Sequence, residues 1–163
     1  MNKFFLTITS LTFALALSAH AEATVTLTGV HNCCKSCTTG ISKAVESVPG
    51  AKATADKGTV TITAKTQADA TKATAALLKA GYYGEGGSAK AATASDGKVK
   101  SATVTGVHLC CGKCVTAFND AVKTVGGTSD ATKGAKSVKV EGDFSPKDLL
   151  AALNKGGFNG EVK

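Results

Sequence analysis

The chain has 163 residues, 19 basic side chains against 12 acidic ones and a net charge of +7, with 5% aromatic residues and no tryptophan. Every basic side chain is a lysine, and the lysines are spread along the sequence. Arginine is the usual reader of base edges, so this composition argues against nucleic-acid recognition and for a solvated cationic surface that could attract acidic partner loops.

In chain order, Lys3 precedes the apolar run FFLTITSLTFALAL and then Ala19-His20-Ala21, the small-x-small form of a secretory cleavage site. Residues 1–21 read as a signal peptide cleaved near Ala21, with Ala21-Glu22-Ala23 as a second readable site. The apolar run is shorter than the roughly 20 residues of a spanning helix, and no cysteine follows it closely enough for lipid attachment. The expected product is periplasmic or secreted, without stable membrane insertion, and its charge falls from +7 to +6 with the loss of Lys3.

Residues 23–28, ATVTLT, alternate polar and apolar at period two, which predicts a half-buried strand. It runs into the loop Gly29-Val-His-Asn-Cys-Cys-Lys-Ser-Cys37. Ile41, Ala44, Val45 and Val48 then recur at helical spacing, so an amphipathic helix is expected to start at or near Cys37 and to end at Pro49-Gly50. Strands are expected over 51–56 and 58–64. A second helix follows, capped by Thr66 three residues before Asp69 and carrying Leu77 and Leu78 on its apolar face. A closing aromatic strand begins at Tyr82.

The segment GGSAKAATASDGKVK, 86–100, lacks large apolar residues and reads as a flexible tether, with 88–99 as the linker proper. After it the pattern repeats. GVHLCCGKC at 106–114 restates the first cysteine loop 77 residues later, and Lys155-Gly-Gly-Phe-Asn-Gly-Glu161 restates Lys79-Ala-Gly-Tyr-Tyr-Gly-Glu85 at an offset of 76. Phe118, Ala121, Val122 and Val125 predict the matching helix, ended by Gly126-Gly127. Strands are expected at 128–132 and at Ala135–Glu141, and Ser145-Pro-Lys-Asp148 caps a helix bearing Leu149, Leu150 and Leu153. A last strand begins at Phe158.

Self-similarity of this kind sets the architecture. The fold class is α+β: after a cleaved signal peptide, two tandem ferredoxin-like βαββαβ domains, 22–87 and 100–163. Each is near the lower size limit for folding on one small core.

All six cysteines, Cys33, Cys34, Cys37, Cys110, Cys111 and Cys114, lie in the two loops, as do His31 and His108. Thiols and imidazoles gathered in one loop suit a soft metal ion. Framework disulfides gain most from closing long loops, whereas the thiols within one loop are at most four residues apart. Cys37 and Cys114 sit where helices begin, and the positive helix end favours a thiolate there. Lys35 and Lys113 act in the same direction.

With the strand, the glycine and apolar residue, C-x-x-C, the apolar residue four positions on and the closing Gly-Tyr or Gly-Phe, the chain resembles tandem heavy-metal-associated domains over 23–87 and 100–163. That family includes copper chaperones, the N-terminal modules of metal-pumping P-type ATPases and the periplasmic mercury carrier. The resemblance implies that Cys34 with Cys37, and Cys111 with Cys114, hold a heavy-metal ion exchangeable with a metal-donating or metal-accepting protein such as a membrane metal transporter. Cu(I) is the first candidate and Zn(II) the next, with Hg(II) and Cd(II) also suited to thiolates.

The loop departs from the family's Gly-Met-x-Cys, because Gly29 to Cys34 is five steps, valine replaces methionine, and a cysteine and a histidine are added. Cys33, Cys110, His31 and His108 therefore join the candidate ligands. Four donors in His-x-Cys-Cys-x-x-Cys match a tetrahedral Zn(II) site, while a bridging Cys33, a polynuclear copper site and a reversible disulfide stay open. The alternative function is a periplasmic thiol–disulfide redox protein. Against it stand the absence of tryptophan, the two prolines at Pro49 and Pro146, and a different strand order. No enzyme motif is present, and no cofactor other than the ion is expected. The tether, with a reach on the order of 20 Å, would let the two cysteine loops meet and share one ion.

Overall fold

The computed structural model describes residues 22–163. The expected signal peptide, 1–21, lies outside the described residues. The described residues form four helices and two antiparallel sheets.

In the first half, β1 (Ala23–Leu27), α1 (Lys35–Glu46), β2 (Lys52–Asp56), β3 (Thr59–Ala64) and α2 (Gln67–Lys79) follow one another. β3 lies between β1 and β2 and is antiparallel to both, with Val25 opposite Ile62 and Leu27 opposite Val60. Alternation puts Val25 and Leu27 of β1, and Val60, Ile62 and Ala64 of β3, on the face that the helices cover. The closing segment is shorter than the strand expected from Tyr82. It pairs through the single bridges Thr28–Glu85 and Tyr82–Phe158.

The second half repeats this with β4 (Val99–Thr105), α3 (Gly112–Thr124), β5 (Thr128–Ser129), β6 (Ser137–Phe144), α4 (Pro146–Lys155) and β7 (Glu161–Val162). Its sheet order is β5-β6-β4-β7. In both halves the first and third strands are neighbours, which is the split βαβ pairing.

The helix starts follow local chemistry. Thr66 Oγ1 accepts from Asp69 N–H at 3.1 Å, and Ser145 Oγ accepts from Asp148 N–H at 3.4 Å, with Pro146 in the first turn where no N–H is needed. Residues 86–98 carry no helix or strand. Within them the Ser95 carbonyl accepts from Lys147 N–H, and Asp96 pairs with Lys147.

The halves join at their two glycine–aromatic turns. Gly81 and Gly157 end α2 and α4 in the left-handed region, at φ of 91° and 81°, and direct Tyr82 and Phe158 toward the opposite half. Tyr83 N–H donates to the Gly157 carbonyl and Asn159 N–H to the Gly81 carbonyl, both at 3.0 Å. A Cβ on Gly81 would strike the His108 backbone, and one on Gly157 the His31 backbone. The buried apolar cluster consequently runs through Tyr82, Phe158, Cys37 and Cys114 from one half into the other. Among the described residues no helix is long and apolar enough to cross a membrane.

Candidate metal centre

Each cysteine loop ends in a helix whose first turn carries the C-x-x-C. Cys34 and Cys111 are the N-caps of α1 and α3, in extended conformation. Cys37 and Cys114 fall inside the first turn, four and eight residues before Ile41 and Val45 in α1 and before Phe118 and Val122 in α3. That spacing keeps them on the buried stripe of each helix, and both are fully buried. Cys33, Cys34, Cys110 and Cys111 are half-buried, while Lys35 and Lys113 are exposed.

All six are free thiols, and the fold brings them into one group. Within each C-x-x-C, Cys34 and Cys37 have their sulfurs 3.7 Å apart, and Cys111 and Cys114 3.5 Å. Across the two halves the sulfurs are as close: Cys33 to Cys111 and Cys37 to Cys110 at 3.5 Å, and Cys37 to Cys114 at 3.7 Å. The extra cysteines are thus part of the same centre. His31 has a ring nitrogen within 4.8 Å of the Cys33, Cys37 and Cys114 sulfurs, and His108 stands likewise beside Cys37, Cys110 and Cys114.

The histidines each stack on the other half's aromatic ring, His31 on Phe158 at 4.4 Å and His108 on Tyr82 at 4.3 Å. One oxygen distinguishes the two arrangements. Tyr82 Oη lies 2.8 Å from His108 Nε2 and donates to the Cys37 carbonyl at 3.2 Å. Phe158 has no hydroxyl to offer, and His31 Nε2 is buried without a partner. The helices match this difference. Tyr82 Oη occupies the space a Cβ on Gly40 would need, whereas the second copy has Ala117 at the position equivalent to Gly40 and a phenylalanine, Phe158, in place of the tyrosine.

Electrostatics separates the thiols into two kinds. The backbone N–H of Cys37 is the largest influence on Cys34 and pulls its thiol down to about 6. The Cys114 backbone likewise lowers Cys111. Burial, reinforced by neighbouring sulfurs, pushes Cys33 and Cys114 well above the ordinary thiol range and Cys110 up to about 12. Burial also lowers both histidines, His108 to about 4, so their rings are neutral and able to offer a lone pair at neutral pH. Two thiols held low beside buried thiols make a strong soft-donor set, and a cation bound there would stabilise the sulfurs as thiolates by displacing their protons.

The structure therefore places all eight candidate ligands together. Sequence reasoning did not single out Tyr82 and Phe158 as the support of the centre. The available signal was paired: Tyr82 with Gly40 in one copy, Phe158 with Ala117 in the other.

No protein-family model and no curated protein matches the chain. Among solved structures, the water-soluble region of the P-type ATPase CopA from Bacillus subtilis is similar over 88% of this chain and 93% of its own, at 17% identity and a TM-score of 0.35. The N-terminal soluble domains of Bacillus subtilis CopA are similar over 88% of this chain and 95% of their own, at 16% identity and a TM-score of 0.29. Likeness at this level establishes no family membership.

Proposed function

We propose that the chain is an exported, non-enzymatic binding protein for a soft metal ion, with Cu(I) first and Zn(II) next as cargo. Two tandem ferredoxin-like domains of the heavy-metal-associated kind would present their C-x-x-C thiolates to it. The observation that supports this most is the gathering of all six cysteine sulfurs, from loops 77 residues apart in sequence, at separations of 3.5–3.8 Å. Such a group of soft donors is costly to assemble for packing alone and is well suited to thiophilic ions. Cys34, Cys37, Cys111 and Cys114 would bind the ion, Cys33 and Cys110 would complete the donor set, and His31 and His108 would flank it. The half-buried Cys33, Cys34, Cys110 and Cys111 would be the sulfurs a partner's thiols reach before the buried Cys37 and Cys114 during transfer to or from a metal-handling protein, such as a membrane transporter.

The lowered Cys34 thiol, 3.7 Å from Cys37, favours thiol–disulfide exchange as a second reading. Native mass spectrometry of the protein taken from the periplasm, without chelator or reductant, separates the two. Bound Cu or Zn that is lost in the Cys34→Ser/Cys37→Ser variant is the expected result. A metal-free mass lacking paired hydrogens would put the redox reading first.

A further inference from the structure

How many ions the six thiols take follows from the arrangement of their sulfurs. Cys37 has Cys33, Cys34, Cys110 and Cys114 at 3.5–3.7 Å. Cys114 has Cys33, Cys37, Cys110 and Cys111 in the same range. Cys33 to Cys111, Cys34 to Cys110 and Cys34 to Cys111 fall at 3.5–3.8 Å. The pairs left over are the chain neighbours Cys33/Cys34 and Cys110/Cys111, and three pairs that share no sulfur: Cys33/Cys110, Cys34/Cys114 and Cys37/Cys111. That is the neighbour pattern of an octahedron, with the last three pairs at opposite corners and the two chain-neighbour edges opened.

An octahedron with edges near 3.7 Å has its centre about 2.6 Å from each corner, too far for a metal–thiolate bond of about 2.3 Å. A single ion held by all six sulfurs is therefore excluded. No four sulfurs have all six of their separations within this 3.5–3.8 Å set, as a tetrahedral four-sulfur site at this spacing would need. Triangular faces, by contrast, are well formed. The face Cys33/Cys37/Cys114 has all three edges at 3.7 Å, so its centre lies about 2.1 Å from each sulfur. Cys34/Cys37/Cys110 has edges of 3.5–3.8 Å. A small outward movement of the sulfurs gives each such face a three-thiolate site for a soft monovalent ion, while the two faces that alternate with them, Cys33/Cys34/Cys111 and Cys110/Cys111/Cys114, must also draw in their opened chain-neighbour edges.

We infer that the two loops together form one polynuclear cage that takes four Cu(I)-like ions on alternate faces of the sulfur octahedron, each thiolate bridging two ions. The inference rests on the metal-binding reading and adds to it that three of the four ions are held by sulfurs of both halves, on the faces Cys33/Cys37/Cys114, Cys34/Cys37/Cys110 and Cys33/Cys34/Cys111, with the fourth on Cys110/Cys111/Cys114. Alternate faces meet only at corners, which keeps the cations apart. Four monovalent ions against six thiolates leave a charge of −2 within a cationic chain. Loading releases at most six thiol protons to solvent and moves no electron.

The test uses protein purified after expression of the full-length chain, fully reduced and kept anaerobic, titrated with the Cu(I)–acetonitrile complex and followed by native mass spectrometry. The expected product is a single chain carrying four copper ions, appearing before the thiols are saturated while species with one to three ions stay minor. Saturation at one or two ions, including one ion in the Cys33/Cys37/Cys114 face with His31, would overturn the cage and leave the metal-binding reading standing. No bound copper would overturn both. The Cys110→Ser variant removes a corner shared by two sites, so its copper count should fall from four to two. An unchanged count would also overturn the cage.

Discussion

Cys34 and Cys33 are adjacent in sequence, yet their surroundings push their thiols in opposite directions. The backbone of the first turn of α1 lowers Cys34, and burial among sulfurs raises Cys33. Cys34 is therefore a thiolate above about pH 6 and a neutral thiol below it, whereas Cys33 keeps its proton through neutral pH. In the reduced metal-free protein, iodoacetamide should label Cys34 in preference to Cys33 at neutral pH. The Cys34 rate should halve near pH 6 and decline further on acidification, as peptide mapping across a pH series would record. A Cys34 rate still rising steeply at pH 8–9 would contradict this account of the centre. Such a split was only half legible in the sequence. The helix start favouring a thiolate could be read from the apolar periodicity after Cys37, but the helix begins at Lys35, so Cys34 is the cap and receives the effect.

The helices and strands were largely readable because local rules decide them. Thr66 and Ser145 cap α2 and α4 as their spacing to Asp69 and Asp148 predicts, and the alternation in 23–28 gives β1. The closing strands were overread, because Tyr82 and Phe158 are used to join the halves and not to extend a sheet. How α1 seats this junction is testable. Alanine at Gly40 gains about 1 kcal/mol of helix propensity, but its Cβ would displace a ring hydroxyl held at 1% exposure, and overpacking costs about 1–3 kcal/mol. Gly40→Ala should therefore destabilise the protein by up to about 2 kcal/mol in urea unfolding. Tyr82→Phe, which frees the hydroxyl's bonds to Cys37 and His108, should cost about 1 kcal/mol by itself. In the Tyr82→Phe background, Gly40→Ala should be neutral or stabilising, reproducing the Ala117 and Phe158 pairing of the second half. Additive losses would show that the hydroxyl and the glycine are not matched.

At the scale of the molecule, the two cysteine loops come face to face, with Cys37 and Cys114 fully buried and the other four thiols half-buried. The sequence reading reached the candidate ligands residue by residue, because cysteine and histidine occur together only in those loops. It left open whether the loops meet, since that depends on the shape of two folded surfaces and on how Gly81 and Gly157 let their backbones approach, which local patterns do not encode. The central claim is that the two halves build one centre. The measurement that tests it most directly is the copper content, by native mass spectrometry of reduced and anaerobically loaded protein, of wild type beside the Cys110→Ser/Cys111→Ser variant. A shared centre predicts that the variant loses more than half of the metal, with weakened retention at Cys34 and Cys37 although neither is altered. A variant that keeps half of the complement, bound as tightly as in the wild type, would mean two independent sites and would contradict the account.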